Sequence, residues 1–287
     1  MNRGILLILS GYLIWGFFPI YWSLLNHVEP TEILAHRIIW SIPILLLFVG
    51  LKSSWRRNVR SVLGDKGELL FLLVTGTLIC INWGTYILAV SLGRVIEGSM
   101  GYFLSPIFNI LGGFIFFKER VSMLQKCAIG FAIVGALYYV ASVDVFPWLG
   151  LVLALSFASY GLMRKSMKSS AVPGLLLETI VLLPITLFFV FWMVGSTQIA
   201  FLTVDRSTDL LLFFAGIVTV VPLVLFTAGA RLLPMTTAGI LSFVNPTLQF
   251  LLGYYYFNEA FNSDQFIGFI GIWLGLLLYC YSLIKKA

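Results

Sequence analysis

The sequence has little charge: 10% of its 287 residues are Asp, Glu, Lys or Arg, against about 25% in an ordinary soluble domain. So few charges cannot clothe a soluble globule when 60% of the chain is hydrophobic and the mean hydropathy is +1.01. Cysteine is scarce as well. Cys80, Cys127 and Cys280 all lie inside apolar runs without C-x-x-C spacing, which argues against disulfides and against a metal cluster. There are only two histidines, His27 and His36. No H-E-x-x-H, G-x-S-x-G or G-x-x-x-x-G-K-[ST] motif occurs, so the usual marks of a zinc protease, a serine hydrolase and a nucleotide-driven pump are missing. No enzyme activity, cofactor or metal is expected; a membrane-embedded enzyme or a sensor is the alternative.

What the chain has in abundance is apolar sequence. Runs of about 18 or more such residues cross a ~30 Å hydrocarbon core as helices. With Gly, Pro, Asn and charged clusters as breaks, ten spans are predicted near 4–25, 32–51, 69–90, 96–116, 125–142, 146–164, 173–194, 209–230, 236–257 and 265–284. The first run lacks an A-x-A-like cleavage site and reads as a spanning helix rather than a signal peptide. The net charge of +6 would suit nucleic acid, but the placement of the cations assigns it to topology. Fifteen of the eighteen basic residues fall on one side of the predicted spans, Arg94 and Arg206 on the other, and Arg37 within a span. By the positive-inside rule both termini are cytoplasmic. One missed helix would move every later loop to the other side and destroy that bias. The expected partners are therefore a lipid bilayer and a small-molecule substrate, with no nucleic acid.

Two stretches repeat one another: YFLSPIFNILGGFIFFKE at 102–119 and SFVNPTLQFLLGYYYFNE at 242–259. A gapless shift of 140 pairs Phe103 with Phe243, Pro106 with Pro246, Gly113 with Gly253 and Glu119 with Glu259, then Gln125 with Gln265, Gly135 with Gly275 and Tyr139 with Tyr279. The chain divides accordingly into units 1–142 and 143–287. Each unit crosses the membrane five times, an odd number, so the second enters from the opposite face, as in many secondary transporters. Glu119 and Glu259 then become equivalent ends of two inverted helices on opposite faces.

The doubled five-helix unit resembles the EamA module of the drug/metabolite transporter superfamily. More closely, the chain is similar to the RarD-type (chloramphenicol-sensitive protein) family, through IWGFFPIYW (14–22), HRIIWS (36–41), NW (82–83), EGSMGYFLSP (97–106), SYGLMRK (159–165), LETIVLLP (177–184), AGIVTVVPL (215–223) and NPTLQFLLG (245–253). The resemblance runs nearly end to end with the motifs in order. It implies an all-α integral membrane protein of ten transmembrane helices, arranged as two inverted EamA repeats around a central cavity. It also implies a permease of the bacterial inner membrane that moves a small organic metabolite or drug-like solute by alternating access. Relatives often carry a lysine near the end of the first helix; here the residue is Ser23, and no role of that lysine carries over.

Polar groups within the spans mark candidate binding residues, because a charge near the bilayer centre costs about 2.5–3.5 kcal/mol on insertion scales. Arg37, with His36 and Trp40 beside it, suits either an outer-half binding or gating group for an anionic substrate or a side chain that snorkels to the interface and pairs with Glu32. Glu178 suits either the opposite mouth of a shared cavity or an interfacial pair with Arg164, Lys165 or Lys168. Asn82, Trp83 and Tyr86, with Ser99, Tyr102 and Asn245, set hydrogen-bonding groups beside aromatic faces, as an amphipathic solute requires. Trp15, Tyr160, Phe243 and Asn245 are candidates by repeat symmetry, and for any single aromatic helix packing or an interface belt is the favoured reading over substrate contact. Pro106 and Pro246 lack an N–H and free the carbonyls of Tyr102 and Ser242, tolerated in a membrane only where protein or a wet cavity surrounds them. The glycines Gly268, Gly271 and Gly275 suit close packing of helices, within the protomer or in a homodimer.

Overall fold

The computed structural model describes residues 2–92, 95–142, 146–196, 199–257 and 263–285. Among them every regular element is helical: α1 (Asn2–Gly16), α2 (Phe18–Ser23), α3 (Pro30–Leu51), α4 (Ser53–Leu63), α5 (Lys66–Ser91), α6 (Val95–Phe116), α7 (Met123–Ala141), α8 (Trp148–Ser166), α9 (Ala171–Ser196), α10 (Arg206–Ala230), α11 (Met235–Ser242), α12 (Val244–Tyr255) and α13 (Ser263–Lys285). Among the described residues seven stretches are long and apolar enough to cross a membrane, the first running through α1 and α2. Large apolar side chains such as Ile115, Phe188, Phe191 and Leu277 stand exposed on the outside of the bundle. That is the reverse of a water-soluble surface and the expected face toward lipid. The protein is a multi-pass membrane protein.

The helices differ from the ten spans predicted, with breaks expected at Pro106 and Pro246, for local reasons. The first span is broken at Phe17, because Pro19 cannot donate to the Trp15 carbonyl. The side-chain amide of Gln249 on α12 reaches that carbonyl at 3.4 Å instead. The ninth span is broken at Phe243, three residues before Pro246, and separates α11 from α12. Its counterpart Pro106, by contrast, is held within an unbroken α6. The basic segment read as a loop after the second span forms α4, whose Val62 is buried while Arg56, Arg57 and Arg60 face outward. Two caps fix helix entries outside the membrane. Ser122 and Gln125 form a capping box at α7, and Asp205 accepts the Thr208 N–H at 2.8 Å, which holds its carboxyl below the usual range.

Contacts sort the helix ends into two groups. At one end, Gly4 approaches Leu233, Asp65 pairs with Lys168, Arg231 donates to the Met167 and Ser169 carbonyls, and Glu119 meets Met235. At the other, Tyr21 bonds to the Leu211 carbonyl, His27 to Thr208 and Glu32 to Ala200. The α7–α13 pair packs closely through glycine. A Cβ on Gly135 would stand 2.5 Å from the Gly268 carbonyl oxygen and 2.7 Å from the Ile272 nitrogen. A Cβ on Gly275 would stand 2.5 Å from the Ala128 oxygen and 2.7 Å from the Ala132 nitrogen. The glycine stripe is thus used within the protomer. Gly135→Ala or Gly275→Ala must push two backbones apart, an overpacking cost of about 1–3 kcal/mol. Either variant should lower the thermal unfolding midpoint in detergent, and an unchanged midpoint would contradict this packing.

Candidate functional site

Where the two broken helices meet the rest of the bundle, a cavity of about 110 Å³ opens. Residues of both halves of the chain wall it. Tyr12, Trp15, Phe18, Pro19 and Trp22 come from α1 and α2, and Arg37 from α3. Asn82, Trp83 and Tyr86 come from α5, with Gly101, Tyr102, Ser105 and Pro106 from α6. Leu153 and Phe157 on α8, and Thr219 and Leu223 on α10, close two further sides. Ser242, Asn245 and Gln249, flanking the α11–α12 break, complete the wall. Aromatic rings are prominent in it: Trp15 stands edge-on to Phe157 with centroids 5.5 Å apart and also meets Phe226 at 5.7 Å.

Among the described residues Arg37 is the charged one of this wall. Its Nε donates to Thr219 Oγ1 at 3.0 Å, and its guanidinium carbon lies 4.8 Å from the Trp83 ring centroid and 5.1 Å from that of Trp22. Desolvated cation–π contacts are worth up to ~2 kcal/mol each, comparable with the ~2.5–3.5 kcal/mol insertion cost of the charge. The two rings therefore make the cation tolerable without neutralising it. Glu32, the expected salt-bridge partner, is committed elsewhere: its two oxygens accept the Ala200 and Phe201 N–H groups at 3.0 and 2.9 Å. The amides are partly spent. Asn82 donates to the Leu153 carbonyl at 2.8 Å and to Ser156 at 3.1 Å, and Gln249 donates to Asn245 at 3.1 Å.

Of the residues singled out in the sequence, Arg37, Asn82, Trp83, Tyr86, Tyr102, Asn245 and Pro106 stand together in this wall, as does Trp15. His36 and Trp40 do not. The Trp40 indole donates to His36 Nδ1 at 2.9 Å, His36 Nε2 faces Glu32 at 3.9 Å, and His36 lies against Phe201, so the ring is spent on packing α3 against the chain before α10. Glu178, expected at a cavity mouth, is instead wholly buried between helices. Its Oε1 lies 3.6 Å from Arg164 Nε and accepts from Thr75 at 2.6 Å, while Oε2 accepts from Tyr160 at 3.2 Å. The physical reason is that Arg164 is also fully buried, so the two charges need each other more than either needs solvent. Tyr160 and Phe243 are buried away from the wall, and Pro246 is buried beside Asn245. The side chain of Ser99 lies outside the described residues. Among the described residues no cluster of His, Cys, Asp and Glu has metal-binding geometry.

Sequence reasoning passed over Trp22, Phe157, Thr219 and Gln249. Trp22 and Phe157 carry no signal beyond an apolar ring. Gln249 had one, an amide in an otherwise apolar run, and Pro19 named the carbonyl it would serve.

Comparison with known proteins places this architecture. The description EamA-like transporter family fits residues 2–141 and again residues 147–281. The chain is 37% identical to an uncharacterized transporter, YojE, of Bacillus subtilis, covering 99% of this chain and 95% of that protein. It is 37% identical to the protein RarD of Escherichia coli, covering 97% and 94%, and 33% identical to a chloramphenicol-sensitive protein RarD of Pseudomonas aeruginosa, covering 96% and 93%. A solved structure titled only as a crystal structure of a protein superimposes with a TM-score of 0.73 over 97% of both chains at 15% identity, a likeness of fold. The chain therefore belongs to the EamA-like transporter family, among its RarD-type members.

Proposed function

We propose that this transporter is a secondary permease of the bacterial inner membrane. It moves a small organic solute through the central cavity by alternating access of two inverted five-helix repeats, 1–142 and 143–287, with ten spans and cytoplasmic termini. The observation that carries the reading is the cavity itself, walled by both halves at the breaks of two spans and holding polar groups at mid-bundle depth. Interrupted helices at such a site are the usual arrangement in secondary transporters. The glycine contacts support the inverted repeat: Gly135 against Gly268 and Ile272 is matched by Gly275 against Ala128 and Ala132, each position displaced by 140. A two-fold axis between α7 and α13 requires that reciprocity. The names of the relatives favour transport over catalysis, and among the described residues of the wall no nucleophile is paired with a base.

Counterflow by purified protein in liposomes, run against amino acids, nucleosides and drugs with and without a pH gradient, tests the reading. Ser105→Phe, which fills the cavity, should abolish counterflow of any solute the native protein carries while leaving its thermal stability in place. Unchanged counterflow in that variant would show that the path runs elsewhere. A reporter fused at the C terminus should read cytoplasmic, and a periplasmic result would break the ten-span topology.

A further inference from the structure

We infer that the cavity is built for a compact organic anion: a single-ring or similarly small apolar body carrying one carboxylate, which pairs with Arg37. The inference rests on the transporter reading and narrows its substrate class. A guanidinium has five N–H donors. That of Arg37 spends the one on Nε on Thr219, and no described residue accepts from its terminal nitrogens. Among the described residues no carboxylate neutralises it either. Glu32, five residues earlier on the same helix, is held by the Ala200 and Phe201 N–H groups, and Glu178 is held by Arg164, Thr75 and Tyr160. Among the described residues the titratable groups that face Arg37 from α5 and α6 are the phenols of Tyr86 and Tyr102. A cation is thus kept within a membrane-embedded wall, steadied by Trp22 and Trp83, with its forked N–H groups unspent. Bidentate pairing with a planar carboxylate uses such a fork.

The rest of the wall specifies the body of the ligand. Trp15, Phe18 and Phe157 offer ring faces and edges, while the nearby amides of Asn82 and Gln249 already have partners. The volume, about 110 Å³, is of the order of the ~150 Å³ cavity that accommodates benzene. It is well below the ~300–1,000 Å³ of drug-sized sites. An inorganic halide would answer the charge but leave the aromatic wall without a purpose.

The test uses benzoate and its neutral isostere benzamide on the purified full chain in chloride-free sulfate buffer, with protection against thermal unfolding and counterflow of radiolabelled benzoate as readouts. Benzoate should protect at a concentration roughly tenfold or more below benzamide. Arg37→Gln should erase that preference by weakening benzoate far more than benzamide. Arg37→Lys, which keeps the charge and loses the fork, should retain only part of it and serves if the glutamine variant fails to fold. Equal protection by the two compounds, no protection by either, a preference that survives Arg37→Gln, or protection by added chloride that matches benzoate would each overturn the assignment. Counterflow of a neutral solute, equal in native protein and Arg37→Gln, would overturn it while leaving the transporter reading intact. Protection by benzoate without counterflow of any solute would do the reverse.

Discussion

Replacing Glu178 by alanine should cost about 3–5 kcal/mol, the usual penalty for breaking a buried ion pair from one side, against a total stability of ~5–15 kcal/mol. Little well-folded protein should survive extraction, and the measurement is the yield of monodisperse protein in detergent together with its thermal midpoint. Arg164 is fully buried on α8, and its terminal nitrogens reach Ser169 and the Ser170 and Ala171 carbonyls at 3.0–3.3 Å. Its Nε has no hydrogen bond, only the carboxylate 3.6 Å away. Remove that carboxylate and the cation remains, since a guanidinium does not lose its proton in a protein. The Thr75 and Tyr160 hydroxyls lose their acceptor in the same step. Arg164→Met combined with Glu178→Leu should recover much of the loss, because removing both charges avoids the uncompensated one. Glu178→Gln should fall between, keeping an oxygen for Thr75 and leaving Arg164 unpaired. A Glu178→Ala protein that unfolds at the native temperature yet transports nothing would return Glu178 to the transport path.

The difference between what the residues announced and what they do follows one physical line. A bilayer selects composition and length, so the helical class, the membrane crossing and the family were legible in apolar runs and motif order. The wall of the cavity was largely legible for a related reason: an arginine, asparagines and tyrosines stand out in hydrocarbon sequence. What a side chain pairs with is set by helices distant in sequence. Glu178 looks the same whether it faces solute or Arg164, and only the packing of α5, α8 and α9 decides. The helix α4 was read as loop because of its cations, although Trp55, Val59 and Val62 form an apolar stripe at the helical spacing i, i+4, i+7 and pack inward. The repeat itself predicted more symmetry than the fold keeps: Pro106 sits in a continuous helix while Pro246 lies just beyond a break.

Replacing Glu119 by alanine should open the end of the bundle that carries the N terminus. After α6 the chain reverses through Lys118, a non-glycine residue at φ 49°, and the Glu119 N–H turns back to the Gly113 carbonyl at 3.1 Å. The carboxylate is thereby aimed at the start of α11, where it accepts the Met235 N–H at 2.6 Å, the Thr236 N–H at 2.8 Å and the Thr236 hydroxyl at 2.8 Å. These helix N–H groups have no partner within α11, so one acid of the first unit caps a helix of the second. Gly113 leaves the room: a Cβ there would lie 2.7 Å from the Glu119 carboxylate. Charge-assisted bonds of this kind contribute about 1.5–3 kcal/mol each, and loss of even ~2.8 kcal/mol from one conformer favours its competitor about a hundredfold. A cysteine at Ser242, in a background without the three native cysteines, should then react far faster with a membrane-impermeant thiol reagent applied at that end. An unchanged rate would show that the contact only braces the bundle. The 140-residue shift carries Glu119 to Glu259, outside the described residues, and carries Met235 and Thr236 back to Val95 and Ile96 at the start of α6. Glu259→Ala should therefore speed labelling of the same cysteine from the opposite face. If Glu119→Ala and Glu259→Ala acted on the same face, the two acids would not be reciprocal latches, and the inverted relation of the two units would fail with them.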